Sequence, residues 1–396
     1  MSGSQPDYMA LLVNGMPYYG WTEVRVSRGL TRCVTDFDIA VSERWSGQAE
    51  PWQIKPFVPC QIRIGTDPLL TGYVEIYDPQ ISGTAHAVRI KGASKTQDLV
   101  ECRPDIQAGQ FSGYTLAAVA RAVSGLFGIG VVVDTPAADQ VVQNAQMERC
   151  ETAWSFLERL CRLAGVLATD DVNGNLVLTS AGTNRASGRL LEGVSILAGR
   201  ATLSSNKRFS NYIVKGQSRI GCGGADAWGG FGNIGATAPV APAGAVQTQL
   251  RAEATDRDVP RYRPFASIAE SQMTPQQMQQ RANWQRNYAY GQSLKATVTV
   301  VGWRQPDGRL WTVNEMIPVT SPSLGVDQDL LIAETKFFLD DHGGRRTELL
   351  LGPVEGYTPD PGQVRIHKKG RGHKGGSGVN WDGFGSAAAG GGTAVA

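Results

Sequence analysis

The chain has 396 residues, 41% of them apolar and 19% charged, with a formal net charge of +2. That length suggests two to four domains, and the near-neutral balance excludes a global field for nucleic acid or an anionic membrane. No run approaches the roughly 18 apolar residues of a membrane-spanning helix, and the opening "MSGSQPDYMALLVNGM" lacks the basic-then-apolar order of a signal peptide, which points to a protein made and kept in a cytoplasm.

Residues 7 to 93 read as β throughout. "LLVNGMPYY" predicts a hairpin, because Asn14-Gly15 supplies two positive φ angles for a tight turn. "WTEVRV" places Val24 and Val26 on one face, and "FDIAVS" alternates Phe37, Ile39 and Val41 with Asp38, Ala40 and Ser42. "CQIRIG" alternates Cys60, Ile62 and Ile64 with polar residues; "GTDP" then breaks the chain before "LLTGYVEIY" and "HAVRIKG". Short strands separated by turn signals predict an antiparallel sandwich or barrel.

The character changes near residue 95. "YTLAAVARAVSGLFG" has helical spacing with Thr115 as its cap, "VVVD" reads as a short buried strand, and "ETAWSFLERLCRLAG" reads as an amphipathic helix ended by Gly165. "VLATDDVNGNLVLTS" predicts a hairpin about Asn173-Gly174. Residues 183–292 hold returning strands, with Tyr212 and Val214 on one face, and a Gly/Ala/Pro-rich linker over 221–246. A third helix follows, with Thr274 as N-cap, Pro275 at N1 and Gln277 completing a capping box. Residues 293–357 are β again, "SLKATVTVVGW" and "LWTVNEMIPV" flanking a Pro-Asp-Gly turn. From 358 a Gly/Lys/Arg-rich tail cannot make a core. The expected fold class is α+β, mainly β: two antiparallel barrel-like domains plus a small α+β insert. The first barrel covers 1–94 and is completed by about 190–220, the insert covers 95–182, and the second barrel covers 293–357.

Nothing in this pattern points to catalysis or to a metal or cofactor. Of four histidines, His86 reads as mid-strand, His342 sits in a Gly turn, and His367 and His373 lie in the tail, none at metal-ligand spacing. The six cysteines contain no C-x-x-C pair and read as small buried hydrophobes. "DDVNGN" has alternating oxygen-bearing side chains, but its Gly is misplaced for a calcium loop and no Glu closes the ring. The pairs Asp170-Asp171 and Asp340-Asp341 read as solvated turn residues. No Walker A sequence, dinucleotide fingerprint or G-x-S-x-G elbow is present. The tryptophans fall on predicted strands, helices or ordered loops, which suits core and interface better than a sugar-stacking platform.

Four stretches in order carry a resemblance. They are "LLVNGMPYYGWTEVRVSRGL" with "FDIAVSERW", then "GYVEIY" through "HAVRIKGASKTQDLVEC", then "AWSFLERLCRLAGVLATDDVNGNLVLT", and last "GWRQPDGRLWTVNEMIPV". Together, from about residue 8 to about 355, the chain resembles the baseplate hub proteins of contractile-tailed bacteriophages, the phage Mu-type hub of the late-control D superfamily. The resemblance implies a homotrimer without enzymatic activity. Its six barrel-like domains would match the hexameric tail tube on one side and the trimeric central spike on the other, around a channel. Implied partners are copies of the chain itself, the tail tube and central spike proteins, wedge and tape measure proteins, and DNA that passes without specific binding. The resemblance implies no membrane insertion, and a place in the virion tail baseplate reached through assembly in the host cytoplasm. The tail beyond 358 has no counterpart in the resemblance.

The structural and interface candidates are Trp303 and Trp311, the turn residues Pro306 and Gly308 between them, and Trp21 and Trp154. The two hairpin tryptophans are expected to pack across the strand pair or against the next subunit, and a private core pair explains them equally well. His367, Lys368, Lys369, Arg371 and Lys374 are contact candidates for acidic protein or phosphate, against the plainer reading of a solubilising tail. Two other functions compete with the hub: a tail-associated cell-wall hydrolase, which needs two carboxylates facing each other across a cleft, and a nucleic-acid-binding module acting through the basic tail.

Overall fold

The computed structural model describes residues 7–42, 54–81, 86–106, 109–217, 249–269, 274–340 and 343–359. The chain is mainly β and multi-domain. Strands β1 (Met9–Val13) and β2 (Met16–Tyr18) form the expected hairpin, with Asn14 at φ 52° and Gly15 at 80°. β3 (Glu23–Gly29), β4 (Asp36–Ser42), β5 (Pro59–Ile64), β6 (Asp67–Ile81) and β7 (His86–Ser94) complete an antiparallel run in the order β3-β4-β7-β6-β5-β1-β2. The alternating Val, Phe and Ile positions read from the sequence all face the core. Gly92 on β7 lets the backbone of β6 and the Phe37 ring close in, since a Cβ there would lie 2.2 Å from the Tyr73 carbonyl oxygen and 2.6 Å from the ring.

The insert comprises α1 (Gln97–Glu101), β8 (Gln110–Phe111), β9 (Tyr114–Thr115), α2 (Leu116–Gly125), β10 (Val131–Val133), β11 (Val141–Val142), β12 (Ala145–Gln146), α3 (Ala153–Ala164), β13 (Leu167–Asp170) and β14 (Leu176–Thr179). Thr115 caps α2 and Gly165, at φ 70°, ends α3. These helices and the β10-β14-β13 sheet share a core of their own, including Leu116, Val119, Phe156, Leu160, Leu176 and Leu178. Two expectations fail here. Val131–Val133 is not a buried strand: it lies at the sheet's edge, with β14 as its partner on one side, and its middle residue is exposed. Cys102 and Cys150 are exposed, whereas Cys33, Cys60 and Cys161 are buried.

The rest of the chain supplies β15 (Asn184–Arg185), β16 (Leu190–Leu191), β17 (Ile196–Leu203), β18 (Asn211–Gln217), β19 (Gln249–Thr255), β20 (Pro264–Ile268), α4 (Pro275–Ser293), β21 (Leu294–Val301), β22 (Glu315–Ser321), β23 (Val326–Asp340) and β24 (Gly344–Gly352). The capping box of Thr274 and Gln277 is present on α4. The described residues of the 190–220 stretch, which run to Gln217, do not complete the first β region. β16 and β17 pair with β22 and β21, and β18 forms a separate sheet with β19 and β20, against which α4 lays Met278, Ala282 and Ala289. Nor do the strands flanking the Pro-Asp-Gly turn pair with each other: β21 lies between β17 and β24, and β22 pairs with β23. β23 is long enough to serve two regions. Its first half pairs with β22 and its second half with β3, so both β regions belong to one sheet and one apolar cluster.

Helix α4 crosses the turn at Val354–Tyr357 backbone to backbone, since a Cβ on Gly291 would lie 2.0 Å from the Gly356 nitrogen. Gly291→Ala is therefore expected to lower stability by about 1–3 kcal/mol, read as a lower denaturation midpoint. Gly125→Ala, with nothing within 4 Å of the added methyl, is the matched control with no loss expected.

Candidate functional site

The hairpin at 302–311 is a short excursion rather than a strand pair. Trp311 N–H donates to the Trp303 carbonyl at 3.2 Å, Gln305 N–H to Arg309 at 2.7 Å and Gly308 N–H to Gln305 at 2.9 Å. Pro306 and Asp307 take the central positions, and Gly308 follows at φ 89°, a conformation that suits glycine. Trp303 and Trp311 are 2% and 5% exposed and lie in the main core. Trp303 Nε1 donates to the Phe338 carbonyl at 3.0 Å; Trp311 Nε1 has no hydrogen-bond partner among the described residues. Trp21 is also in this core, its Nε1 bonded to the Tyr18 carbonyl, and it shares a pocket wall with Trp303. Trp154 is elsewhere, half-buried on α3 against the insert's core. The tail candidates His367, Lys368, Lys369, Arg371 and Lys374 lie outside the described residues.

Between the two tryptophans sits a residue the sequence reading passed over. Arg304 Nε donates to Asp7 Oδ1 at 2.8 Å, and its NH1 to Asp67 Oδ2 at 2.6 Å and to the Gly308 carbonyl at 2.7 Å; NH2 reaches the Ile64 carbonyl at 3.2 Å. One guanidinium thus clasps the C-terminal hairpin to β5 and β6 of the first region. Behind it, Gln305 Nε2 donates to Glu315 Oε2 at 2.6 Å and Arg309 NH1 to Glu315 Oε1 at 3.0 Å. Burial pushes the Glu315 carboxyl up, while Gln305 and Arg309 pull it down.

The insert is held by a second polar node. Asp170, at the end of β13, is 1% exposed rather than solvated as expected. It accepts from Thr35 N–H and from Thr35 Oγ1, both at 3.0 Å, and Arg28 Nε lies 3.8 Å from its Oδ1. Arg28 also donates to the Asp170 carbonyl, and Thr169 Oγ1 donates to the Gly29 carbonyl at 3.1 Å. The following turn continues the seam, Thr71 Oγ1 donating to the Val172 carbonyl at 2.9 Å. Burial raises the Asp170 carboxyl from its usual range against the opposing pull of Arg28, Ser94 and Thr35. At the insert's exit, Asn314, at φ 67°, donates to the Ser180 carbonyl at 2.9 Å and accepts from Gly182 N–H at 2.8 Å. Its own N–H reaches the Ile332 carbonyl at 2.9 Å.

The turn that imitates a calcium loop is closed on itself. Asp171 Oδ1 accepts the Asn173 and Asn175 amides and Oδ2 accepts Asn175 Nδ2, all at 2.8 Å. Among the described residues no group of three or more His, Cys, Asp or Glu is arranged to hold a metal ion. The node residues left little sequence signal. Asp170 shares the parity of buried Ala168 along its strand, which alone could have marked it as inward-facing.

A mainly β sheet framework, an α+β insert locked to it by buried polar nodes, and buried tryptophans define a multi-domain scaffold protein. Three family models match separate stretches of the chain in order: Mu phage baseplate assembly protein GpP-like, N-terminal, over 8–94; baseplate hub protein gp44-like, second domain, over 96–180; and Mu phage baseplate assembly protein GpP, fourth domain, over 274–360. The chain is 28% identical to the baseplate hub protein gp44 of Escherichia phage Mu over 93% of both chains. It is 31% identical to the 43 kDa tail protein of prophage MuSo2 from Shewanella oneidensis, with 90% of this chain and 100% of that one covered and a TM-score of 0.74. A tail protein from Neisseria meningitidis MC58 shares the fold at 19% identity, 90% and 99% coverage and a TM-score of 0.69. The chain belongs to the phage Mu-type baseplate hub family. It is a structural component of a phage tail, and not an enzyme.

Two outcomes follow from the nodes. Arg304→Ala removes charge-assisted bonds at a partly buried clasp and should cost about 1.5–3 kcal/mol in chemical denaturation. A carboxyl raised in the folded chain contributes most when protonated; that contribution is lost as pH rises through its folded value. Asp170→Asn keeps the neutral form, so its thermal midpoint relative to the unaltered chain should rise as pH climbs from the ordinary carboxyl value of about 4 through the raised folded value. A pH-independent difference would mean that Arg28 and Thr35 offset the burial fully.

Proposed function

We propose that three copies form a ring that adapts the sixfold tail tube to the threefold central spike, each copy giving two β regions to a wall around a channel. The continuous sheet supports this reading. Pairing of β23 with both β22 and β3 fixes the two regions of one copy relative to each other, as wall segments in register require. The family membership supports the tail setting. Assembly takes place in the host cytoplasm. The neighbours are the tube protein, the spike, wedge and tape measure proteins, and DNA crossing the channel without sequence recognition.

Light scattering on the purified chain should give about three times 42.4 kDa, or, where partners are needed, that mass plus the mass of the bound tube or spike protein. Each contact between copies should bury more than about 2,000 Å2, as obligate interfaces do. A chain that stays monomeric in the presence of both partners would overturn the ring.

A further inference from the structure

At the seam between the β regions lies a pocket of about 270 Å3. Trp21 and Trp303 form its buried floor, and Tyr8 and Tyr19, 59% and 53% exposed, stand at its rim. The Arg345 side chain is exposed and its guanidinium lies over two rings, 5.7 Å from the Tyr8 centroid and 5.5 Å from that of Trp303. Aromatic faces hold this cation in place, yet it has no carboxylate partner among the described residues. Asp7, the pocket's acidic residue, is engaged by Arg304 at 2.8 Å.

We propose that this pocket is a docking site for a linear segment of another protein that carries a carboxylate side chain beside a bulky apolar one. Its size falls just short of the roughly 300–1,000 Å3 that holds a small-molecule ligand, and matches one or two side chains. Tyr, Trp and Arg are the residues that anchor protein interfaces, because they bury large area with few rotors and keep a polar end. The charge complement is fixed: a carboxylate meeting Arg345 satisfies the guanidinium edge, while the apolar neighbour covers the exposed rings of Tyr8 and Tyr19. The inference does not depend on the number of copies in the ring.

The test is selection of a displayed random heptapeptide library on the full chain, followed by anisotropy of the winning peptide carrying a fluorescent label. Enriched peptides should pair Asp or Glu with an aromatic residue or Leu. Arg345→Glu should weaken the winner by about tenfold or more, and a fresh selection on that variant should favour Lys or Arg in place of the acid. Tyr19→Ser, a change at an exposed position, should also weaken binding without moving the thermal midpoint. No enrichment, a consensus lacking an acid, or affinity unmoved by both substitutions would overturn the site. A consensus that spells out a segment of this chain would reassign the pocket to a contact between copies and overturn the partner named here.

Discussion

The double pairing of β23 is the constraint on which the architecture rests. A strand of this length offers hydrogen-bonding positions to two partner strands in succession, β22 then β3, and its ladder with β24 shifts register between Ile332 and Glu334, where that change falls. Phe337 faces Val26 across the pair with β3, and Leu330 faces Ile317 across the pair with β22. All four side chains belong to the same apolar cluster. The two β regions therefore cannot turn relative to each other without exposing core and breaking a backbone ladder. Non-directional burial supplies the attraction, and the ladder supplies the angle.

Polar nodes then fix what apolar packing leaves loose. A buried ion pair seldom adds net stability over an apolar pair of the same volume, because desolvation opposes the attraction. Its geometric demand is strict, however. Asp170 is satisfied when the insert's hairpin meets Thr35 and Arg28 in one orientation, and Arg304 is satisfied when the C-terminal hairpin meets Asp7 and Asp67 in one orientation. Asn314 does the same at the insert's exit, bonding both the departing chain and β23. The hairpin with two tryptophans is thus a fastener. Its indoles lie in the core, Trp303 is tethered to Phe338, and Arg304 projects across the seam.

The parts of the structure written in local sequence were legible. The Asn14-Gly15 hairpin, the Thr115 and Thr274 caps, the Gly165 stop and the alternation in β3 to β5 each depend on a few adjacent residues. Partner choice was not legible, because it depends on contacts far apart in the chain. The expectation that β21 and β22 pair followed a real turn signal at Pro306 to Gly308. It failed because β24 and β17 occupy both sides of β21, leaving the turn a single bridge between Arg304 and Leu310. Asp170 was misread for a similar reason. Beside Asp171 and Asn173 it looks like turn chemistry, and its burial is supplied by β3 and the segment before β4, more than a hundred residues upstream.

Raised carboxyls in a buried setting often mark catalytic sites, and here they mark joints. A general acid or base needs a lone pair or proton directed at an approaching substrate. Both oxygens of Asp170 are taken by Thr35, and both oxygens of Glu315 by Gln305 and Arg309. Opening either carboxylate to a substrate means undoing the seam that it holds. The same low-dielectric burial that would tune a catalytic group therefore makes these groups effective as fasteners, since an unpaired charge left behind by slippage is costly. That is the electrostatics expected of a tail component whose relatives are structural proteins: Asp170, its carboxyl raised by burial, sits at the seam between the insert and the first β region, where shape must be kept.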